Sequence, residues 1–307
     1  MKTISEIGEC GFIERIRRRY LARKNKHVVC GIGDDTAVLT HTKDTYLLFC
    51  SDMLIEDVHF TFNNTPGGFK VGWKALGVNI SDIAAMGGTA KFCVVSLGIP
   101  RGVSIAFLDD FYRGLGAIAK KFSVSIVGGD TNRSDKFVVD IALIGEVKKT
   151  NLVLRSGAQV GDTILVTGSL GGSLYGRHLS FTPRIKESRF LVSNFKITSM
   201  IDISDGLAKD LSHIIKESKV GAMLYEAHIP ISKNCKDIKH ALSDGEDFEL
   251  LFTMAPREAE RLLKKRQRPF HTKISKIGTI TKRRDGLTLV NKKGNIRKLK
   301  EPGFEHF

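Results

Sequence analysis

The feature that most constrains the fold is a series of aspartates that follow apolar runs or glycines along the whole chain. The apolar run at residues 46–49 predicts a strand that is buried on both faces and ends at Ser51 and Asp52. In open α/β sheets, ligands bind at the carboxyl ends of the strands. A strand that leaves the core through a polar turn would give the same pattern, so this stretch alone leaves both interpretations open.

Further aspartates occur in the same setting. Asp34 and Asp35 follow a glycine-containing turn, Asp130 follows Gly128 and Gly129 after a strand predicted over 124–127, and Asp202 and Asp205 belong to a strand predicted over 200–203 and the turn after it. Glycines at these turns allow a ligand to approach the backbone closely. Asp205 or Ser204 is also a candidate N-cap of the helix that follows, and the sequence leaves that alternative open.

A helix predicted over residues 70–86 carries one more carboxylate in an apolar setting. Apolar residues on two of its faces predict a helix that is buried on both sides. Asp82 lies at helical spacing from Val71, Ala75 and Val78, in line with one apolar stripe. Because a buried carboxylate is costly unless it is paired or bound to a metal, Asp82 is a candidate metal ligand.

The aspartates predict a particular kind of site if they converge in space. Clustered carboxylates repel one another unless a cation lies between them. Oxygen ligands without accompanying His or Cys clusters favour Mg²⁺ over Zn²⁺, and Mg²⁺ commonly bridges carboxylates to substrate phosphates. We therefore predict a nucleotide-dependent site with several Mg²⁺ ions. The chain has no P-loop, no kinase-type glycine-rich loop and no G-x-S-x-G elbow, which removes three rival classes of site.

Length and charge indicate the organisation and the partners. A chain of 307 residues exceeds one ordinary core, so we expect two domains, at 1–148 and 149–307, with a polar boundary at residues 148–151. The net charge of +15 favours anionic partners. The basic segments 261–268 and 282–300 lack interleaved aromatic residues, so nucleic acid is not the expected partner, although a nucleic-acid-binding protein is the alternative from another class.

Cysteine usage and hydropathy concern the compartment. The five cysteines form no C-x-x-C pair, which is typical of free thiols in a reducing cytosol. No apolar run approaches the length of a membrane-spanning helix, and the N-terminal residues lack the apolar stretch of a signal peptide. We therefore expect a cytoplasmic protein with no membrane partner.

Periodicity predicts the remaining elements. The predicted helices cover 12–20, 105–122 and a segment that runs from Pro256 to about residue 266. The predicted strands include 92–99, 137–147 and 163–166. Strands at 274–280 and 287–290 are expected to form a hairpin, because an Asp-Gly turn signal lies between them.

Blocks of sequence along the chain resemble the thiamine-monophosphate kinase family, whose superfamily includes aminoimidazole ribonucleotide synthetase and selenophosphate synthetase. The blocks are residues 31–35, 51–60, 79–87, 128–131, 155–162, 201–207, 245–250 and 303–307. They follow one another in order over nearly the whole chain. The alternative is another ATP-dependent member of the same superfamily, and His59, Glu246 and Phe304 favour the thiamine branch.

The resemblance implies a fold and an activity. The implied fold is the aminoimidazole ribonucleotide synthetase-like architecture of an α/β N-terminal domain plus an α+β C-terminal domain. The first domain would bind ATP and Mg²⁺ and form a homodimer through its sheet, and the second would complete the active site. The implied reaction is ATP-dependent phosphorylation of thiamine monophosphate to thiamine diphosphate, by direct in-line transfer assisted by several Mg²⁺ ions.

The resemblance also implies roles for individual residues. The implied Mg²⁺ ligands are Asp35, Ser51, Asp52, Asp82, Asp130, Asp202 and Asp205, of which Asp52, Asp82, Asp130 and Asp202 are the implied catalytic carboxylates. The implied ATP contacts are Tyr112, Gly129, Asp130, Arg155 and Ser204. The implied contacts to thiamine monophosphate are His59, Glu246 and Phe304.

Overall fold

Two mixed β-sheets and seven α-helices make up the part of the chain that the structure describes. The computed structural model describes residues 3–20, 25–62, 67–265, 267–299 and 303. The helices are α1 (Ile4–Tyr20), α2 (Gly68–Ala85), α3 (Ile105–Phe122), α4 (Ile185–Asn194), α5 (Leu207–Ser218), α6 (Ile238–Ser243) and α7 (Pro256–Lys264). The strands are β1 (Val28–Cys30), β2 (Ala37–Thr40), β3 (Thr45–Ile55), β4 (Thr89–Ile99), β5 (Ser125–Arg133), β6 (Val138–Lys148), β7 (Thr163–Thr167), β8 (Ser199–Asp202), β9 (Gly221–Tyr225), β10 (Leu250–Met254), β11 (Ile274–Thr281), β12 (Leu287–Val290) and β13 (Ile296–Lys298).

The first sheet has the strand order β1-β2-β3-β6-β4-β5. Its neighbouring strands are antiparallel except for the parallel pair β4 and β5. The pairing of β3 with β6 extends over the full length of β3, from Thr45 opposite Lys148 to Ile55 opposite Val138. The helix α2 packs on β3, β6 and β4, and α3 packs on α2. The helices therefore cover one face of this sheet.

The prediction for the strand at 46–49 is wrong in two respects. β3 continues through Ser51 and Asp52, and its residues alternate between the two faces of the sheet. Leu48 and Leu54 are buried beneath the helices, whereas Phe49 on the opposite face is 44% exposed. The continuous apolar run arises because the outer face of the sheet is also apolar, so apolar character on both faces did not mean that both faces are covered.

The helix α2 lies at the centre of the molecule and confirms the prediction of a helix that is buried on both sides. It contacts α3 at two glycines that permit a close approach of the backbones. A Cβ atom at Gly72 would overlap the carbonyl oxygen of Phe111, and a Cβ atom at Gly114 would overlap that of Phe69. On its other sides α2 contacts α4 and β8, so one helix touches both halves of the chain.

The second sheet has the strand order β13-β12-β9-β11-β7-β10-β8. The residues of β7, β8 and β10 alternate between two hydrophobic clusters, one on each face. The first cluster contains Leu48 and Ile83 from the first half together with Met200 and Phe252 from the second. The apolar core is thus continuous between the two sheets. The division at residues 148 and 149 stays a prediction, and a short 3₁₀ turn occupies Lys149–Asn151.

The predicted hairpin of strands 274–280 and 287–290 is wrong. β9 lies between these strands, and it pairs antiparallel with β11 and parallel with β12. The chain crosses over β9 through a 3₁₀ turn at Arg283–Asp285. The local turn signal of Asp285 and Gly286 therefore reverses the chain without pairing the flanking strands.

No helix in the described ranges combines the length and the apolar character that a membrane crossing requires.

Candidate active site

Three carboxylates converge where the two halves of the chain meet. Asp35 comes from the turn between β1 and β2, Asp82 lies in the last turn of α2, and Asp202 is the last residue of β8. One carboxylate oxygen from each of these residues lies within 4.8 Å of one from each of the others. The helix α2 is the element that brings them together, because it packs both on the first sheet and against β8.

Other predicted residues surround this cluster. Asp52 on β3 hydrogen-bonds Asp82, and the Ser81 hydroxyl donates to Asp202 Oδ2 at 2.6 Å. Ser51, Arg155, Ser204 and Asp205 line the same cavity, which has a volume of about 450 Å³ and also contains the carboxylates of the cluster. The structure therefore brings together six of the seven predicted metal ligands and two of the predicted ATP contacts.

Burial and mutual repulsion change the acidity of the cluster. Burial, followed by the charges of Asp52 and Asp202, raises the pKa of Asp82 well above its ordinary value. Burial and the charge of Asp35 raise the pKa of Asp202 to about 8. The pKa values of Asp35 and Asp52 are raised as well, chiefly by burial. Protons or cations must therefore neutralise part of the cluster at neutral pH.

Arg155 supplies one compensating charge. Its Nη2 atom lies 2.6 Å from Asp35 Oδ1, and its backbone N–H donates to Asp34 Oδ2 at 3.1 Å. Burial acts to lower the pKa of Arg155, but the charges of Asp35, Asp34 and Asp210 and the hydrogen bond to Asp35 together outweigh it and raise that pKa. The other oxygen of Asp35, Oδ2, is buried without a hydrogen-bond partner among the described residues. A carboxylate-only donor set with such an orphaned oxygen fits Mg²⁺.

A second cavity, of about 650 Å³, lies on the other side of the cluster. It contains the predicted substrate contacts His59 and Glu246, together with His178 and Phe248. Six residues line both cavities, namely Glu9, Asp52, Asp82, Asp202, Ser204 and Asp205, whereas Asp35 lines the smaller cavity alone. Carboxylates thus form a wall that the two cavities share.

Lys74 holds Glu246 in place in this second cavity. The Lys74 side chain on α2 is completely buried, and its Nζ atom lies 2.7 Å from Glu246 Oε1 and 2.5 Å from Glu246 Oε2. The same Nζ donates to the carbonyl oxygen of His59 at 2.9 Å. Burial lowers the pKa of Lys74, against the attraction of Glu246. The sequence analysis missed this residue, although a lysine within a helix that is apolar on both faces is itself a signal.

A network of charged residues fixes the segment 174–179, which forms one side of the second cavity. Arg177 Nη2 lies 2.6 Å from Asp247 Oδ1, and Arg184 Nη2 lies 2.5 Å from Glu249 Oε1. Asp247 and Glu249 have completely buried side chains. Burial raises the pKa of Asp247 to about 6. These residues were also missed, because their partners are separated by about seventy residues in the sequence.

Three predicted residues lie outside both cavities, and a fourth lies outside the described residues. Tyr112 is exposed on α3, and Gly129 and Asp130 are exposed on the edge strand β5. β5 extends to Arg133, so the expectation that Asp130 stands at a strand end is wrong. β4 and β6 separate β5 from β3, a distance of about 14 Å at ordinary strand spacing. The metal and ATP roles of these residues stay predictions. Phe304 is not among the described residues.

Asp205 does not cap the helix that follows it. The N-cap of α5 is Gly206, which has no side chain to offer. Asp210 Oδ2 accepts the backbone N–H groups of Asp205 and Gly206, each at 3.1 Å. The Asp205 carboxylate instead forms an ion pair with Lys209 at 2.9 Å and lines both cavities. The capping alternative for Asp205 is therefore wrong.

Comparisons with known proteins agree over nearly the whole chain. Residues 33–147 match the family described as AIR synthase related protein, N-terminal domain, and residues 159–290 match the corresponding C-terminal domain. The thiamine-monophosphate kinase of Bacillus subtilis (strain 168) is 35% identical over 305 residues, which cover 90% of this chain and 93% of the relative. That of Synechococcus elongatus is 30% identical and covers 100% of this chain and 98% of the relative.

Solved structures have the same architecture. The structure described as AaThiL complexed with AMPPCP and TMP superposes with a TM-score of 0.85 at 29% identity, covering 100% of this chain and 99% of that one. The hydrogenase maturation protein HypE in complex with ATP has a TM-score of 0.71 at 20% identity over 94% of each chain. The likeness to HypE concerns the fold alone.

Proposed function

The chain belongs to the thiamine-monophosphate kinases, within the AIR synthase related family, and we propose on that premise that it transfers the γ-phosphoryl group of ATP to the phosphate of thiamine monophosphate. The observation that carries the proposal is the carboxylate wall shared by two cavities. Such a wall suits a reaction in which two phosphorylated ligands meet end to end. AaThiL forms a complex with AMPPCP and TMP, which are ligands of these two kinds.

We assign ATP to the smaller cavity and the acceptor to the larger one. Arg155 and Ser204 line the smaller cavity and are proposed to contact ATP. His59 and Glu246 line the larger cavity, where Phe248 adds an aromatic surface for a ring system. The phosphate of the acceptor would then lie at the shared wall, opposite the γ-phosphoryl group.

We propose that Mg²⁺ ions bind at the shared wall. Asp35, Asp52, Asp82 and Asp202 would hold them, with Ser51 and Asp205 at the margins. The orphaned Asp35 Oδ2 and the raised pKa values of the buried carboxylates support this assignment. Bound Mg²⁺ would supply charge screening between the two polyanionic substrates.

The chemistry requires little from the protein besides positioning and charge. The acceptor phosphate is already ionised at pH 7, so no general base has to remove a proton. Arg155 is placed to stabilise negative charge in the smaller cavity, where Asp35 fixes its guanidinium group. We propose direct in-line transfer across the wall between the cavities, because each ligand would approach that wall from its own side.

A coupled assay of ATP consumption tests the proposal. Thiamine monophosphate should support turnover in the presence of Mg²⁺, whereas other phosphorylated acceptors of similar size should not. Asp202→Asn should abolish turnover, since it keeps the shape of the side chain and removes its charge. Turnover with a different acceptor only would contradict the thiamine assignment and favour another ATP-dependent branch of the superfamily.

We also propose that the chain forms a homodimer through the open face of the first sheet. Phe49, Met53, Phe92 and Ile144 are exposed there, and exposed apolar patches of this kind mark interaction surfaces. Asp130 lies on the neighbouring edge strand β5, so it would border such an interface. Phe92→Asp should shift the molecular mass measured by light scattering from dimer to monomer. An unchanged mass would contradict this interface.

A further inference from the structure

The larger cavity contains a histidine, His178, to which the family resemblance gives no role. Its Nδ1 atom lies 2.9 Å from the carbonyl oxygen of Ser173. A carbonyl oxygen only accepts hydrogen bonds, so Nδ1 must carry the hydrogen. In the neutral ring, Nε2 is then a hydrogen-bond acceptor. The structure shows no other hydrogen bond of His178 among the described residues, and its side chain lines the cavity.

The surroundings of His178 favour the neutral form of its ring. Burial, followed by the positive charge of Lys74, lowers the pKa of His178 below its ordinary value. Lys70 acts in the same direction, and Glu246 opposes both. In a neutral ring whose hydrogen is on Nδ1, Nε2 can only accept a hydrogen bond.

The segment that carries His178 is held rigidly. Arg177 and Arg184, on either side of it, both bind the buried Glu249 carboxylate. Between them, the Phe181 ring stacks on Phe248 with centroids 4.0 Å apart. A recognition group on a rigid support selects among ligands better than one on a mobile loop.

His59, in the same cavity, has the opposite arrangement. The backbone N–H of Ile55 donates to His59 Nδ1 at 3.0 Å, so that nitrogen is the acceptor. A neutral His59 ring therefore carries its hydrogen on Nε2. The cavity thus contains two histidines in opposite tautomers, one with an acceptor Nε2 and one with a hydrogen on Nε2.

We infer that His178 determines specificity for the acceptor substrate, by accepting a hydrogen bond at Nε2 from an amino group on a heteroaromatic ring. This inference rests on the proposed function, because the proposed acceptor carries an aminopyrimidine ring. Such a ring presents an amino donor beside a ring-nitrogen acceptor. Replacement of the amino group by an oxo group exchanges donor and acceptor, so the oxo analogue should be rejected.

The test compares thiamine monophosphate with the analogue whose ring amino group is replaced by an oxo group. The wild type should have a KM for the amino ligand about tenfold lower than for the oxo ligand, the effect expected of one hydrogen bond. His178→Phe should raise the KM for the amino ligand about tenfold and lose the preference. His178→Gln, whose Oε1 reaches the position of Nε2, should keep most of it. The KM for ATP and the melting temperature should not change.

Two further variants complete the experiment. His178→Asn has an amide that is too short to reach the position of Nε2, so it provides a second loss of the acceptor should the phenylalanine variant not fold. Ser180→Ala, at an exposed position of the same segment, is the matched control and should behave as the wild type.

The outcomes separate this inference from the proposed function. The wild type could turn over thiamine monophosphate while the phenylalanine and asparagine variants keep its KM and its preference for the amino ligand. That result would overturn the inference and leave the proposed function in place. A parallel rise in the KM values for the amino and the oxo ligand, in the glutamine variant as well as in the others, would show that His178 has a structural role. That result would also overturn the inference. A wild type without turnover on thiamine monophosphate would refute the proposed function, and this inference with it.

Discussion

At the scale of single residues, the site is built from groups that are unfavourable for folding. Asp82 and Asp202 are buried close together, with raised pKa values. Lys74 is buried to bind one carboxylate and one carbonyl group. A buried ion pair is weak support for stability, since apolar replacements are often as stable. These residues are therefore best explained by the ligands that they position.

Asp82→Asn should stabilise the metal-free protein and abolish turnover. The asparagine amide still donates to Asp52 and stays neutral without binding a proton, so we expect the free energy of unfolding to rise by about 1 kcal/mol at pH 8. Turnover should fall by about 100-fold or more. Urea unfolding in a metal chelator and the coupled assay measure the two effects. The exposed Asp109→Asn on α3 is the control and should change neither. A less stable Asp82→Asn protein would contradict this account of the cluster.

Lys74→Met should destabilise the protein and weaken acceptor binding. It leaves Glu246 without its partner in a largely buried position, and we expect a loss of about 3 kcal/mol. Glu246→Gln in the same chain should recover most of that stability, but it should not restore the KM for the acceptor. Chemical denaturation and steady-state kinetics separate the two effects, with the exposed Lys120→Met as control. Equal stability of the single variant and the wild type would show that the pair is not structurally important.

At the scale of elements, α2 determines where the site lies. It carries Asp82, which lines both cavities, and Lys74, which binds Glu246 of the larger cavity, and it touches both sheets. Its contact with α3 depends on glycine, because any side chain at Gly114 would overlap the backbone of Phe69. A small displacement of α2 would therefore move groups in both cavities at once.

Gly114→Ala should push α2 and α3 apart. We expect a loss of about 2 kcal/mol in the free energy of unfolding, together with higher KM values for both substrates. Gly116→Ala is the matched control on the same helix, since nothing lies within 4 Å of the added Cβ atom. It should stabilise the protein by about 0.5–1 kcal/mol, because alanine is the better helix former. The two glycine variants should thus change the unfolding midpoint in opposite directions.

The sequence alone predicts elements better than pairings. Helical periodicity located α2 and α3, because long amphipathic or doubly apolar segments have few alternatives. Whether helices cover a given face of the sheet could not be predicted, because the apolar outer face at Phe49 has the same sequence pattern as a buried face. The insertion of β9 between β11 and β12 is a long-range event that no local turn signal reveals. Lys74 and Glu246 likewise come together only through the fold.

At the scale of the whole molecule, the buried carboxylates couple stability to pH. Their pKa values in the folded state lie above their ordinary values, so the folded protein binds more protons than the unfolded chain between those limits. Stability in a chelator should therefore fall as the pH rises from about 4 to about 8, the pKa of Asp202.

Mg²⁺ with ATP should reverse that trend. Ligands that bind only the folded state raise its stability, so the melting temperature at pH 8 should increase by several degrees. The increase should be much smaller in Asp82→Asn. Differential scanning calorimetry at pH 5 and pH 8, with chelator or with Mg²⁺ and ATP, measures all four states. A chelated protein that is more stable at pH 8 than at pH 5 would contradict the linkage.

The shared wall of carboxylates connects the two cavities electrostatically. Asp52, Asp82 and Asp202 line both cavities, so a cation that neutralises them changes the environment in both cavities at once. In the proposed arrangement, nucleotide and acceptor should therefore not bind independently. By thermodynamic reciprocity, the factor by which nucleotide and metal alter the affinity for the acceptor must equal the factor by which the acceptor alters the affinity for nucleotide and metal.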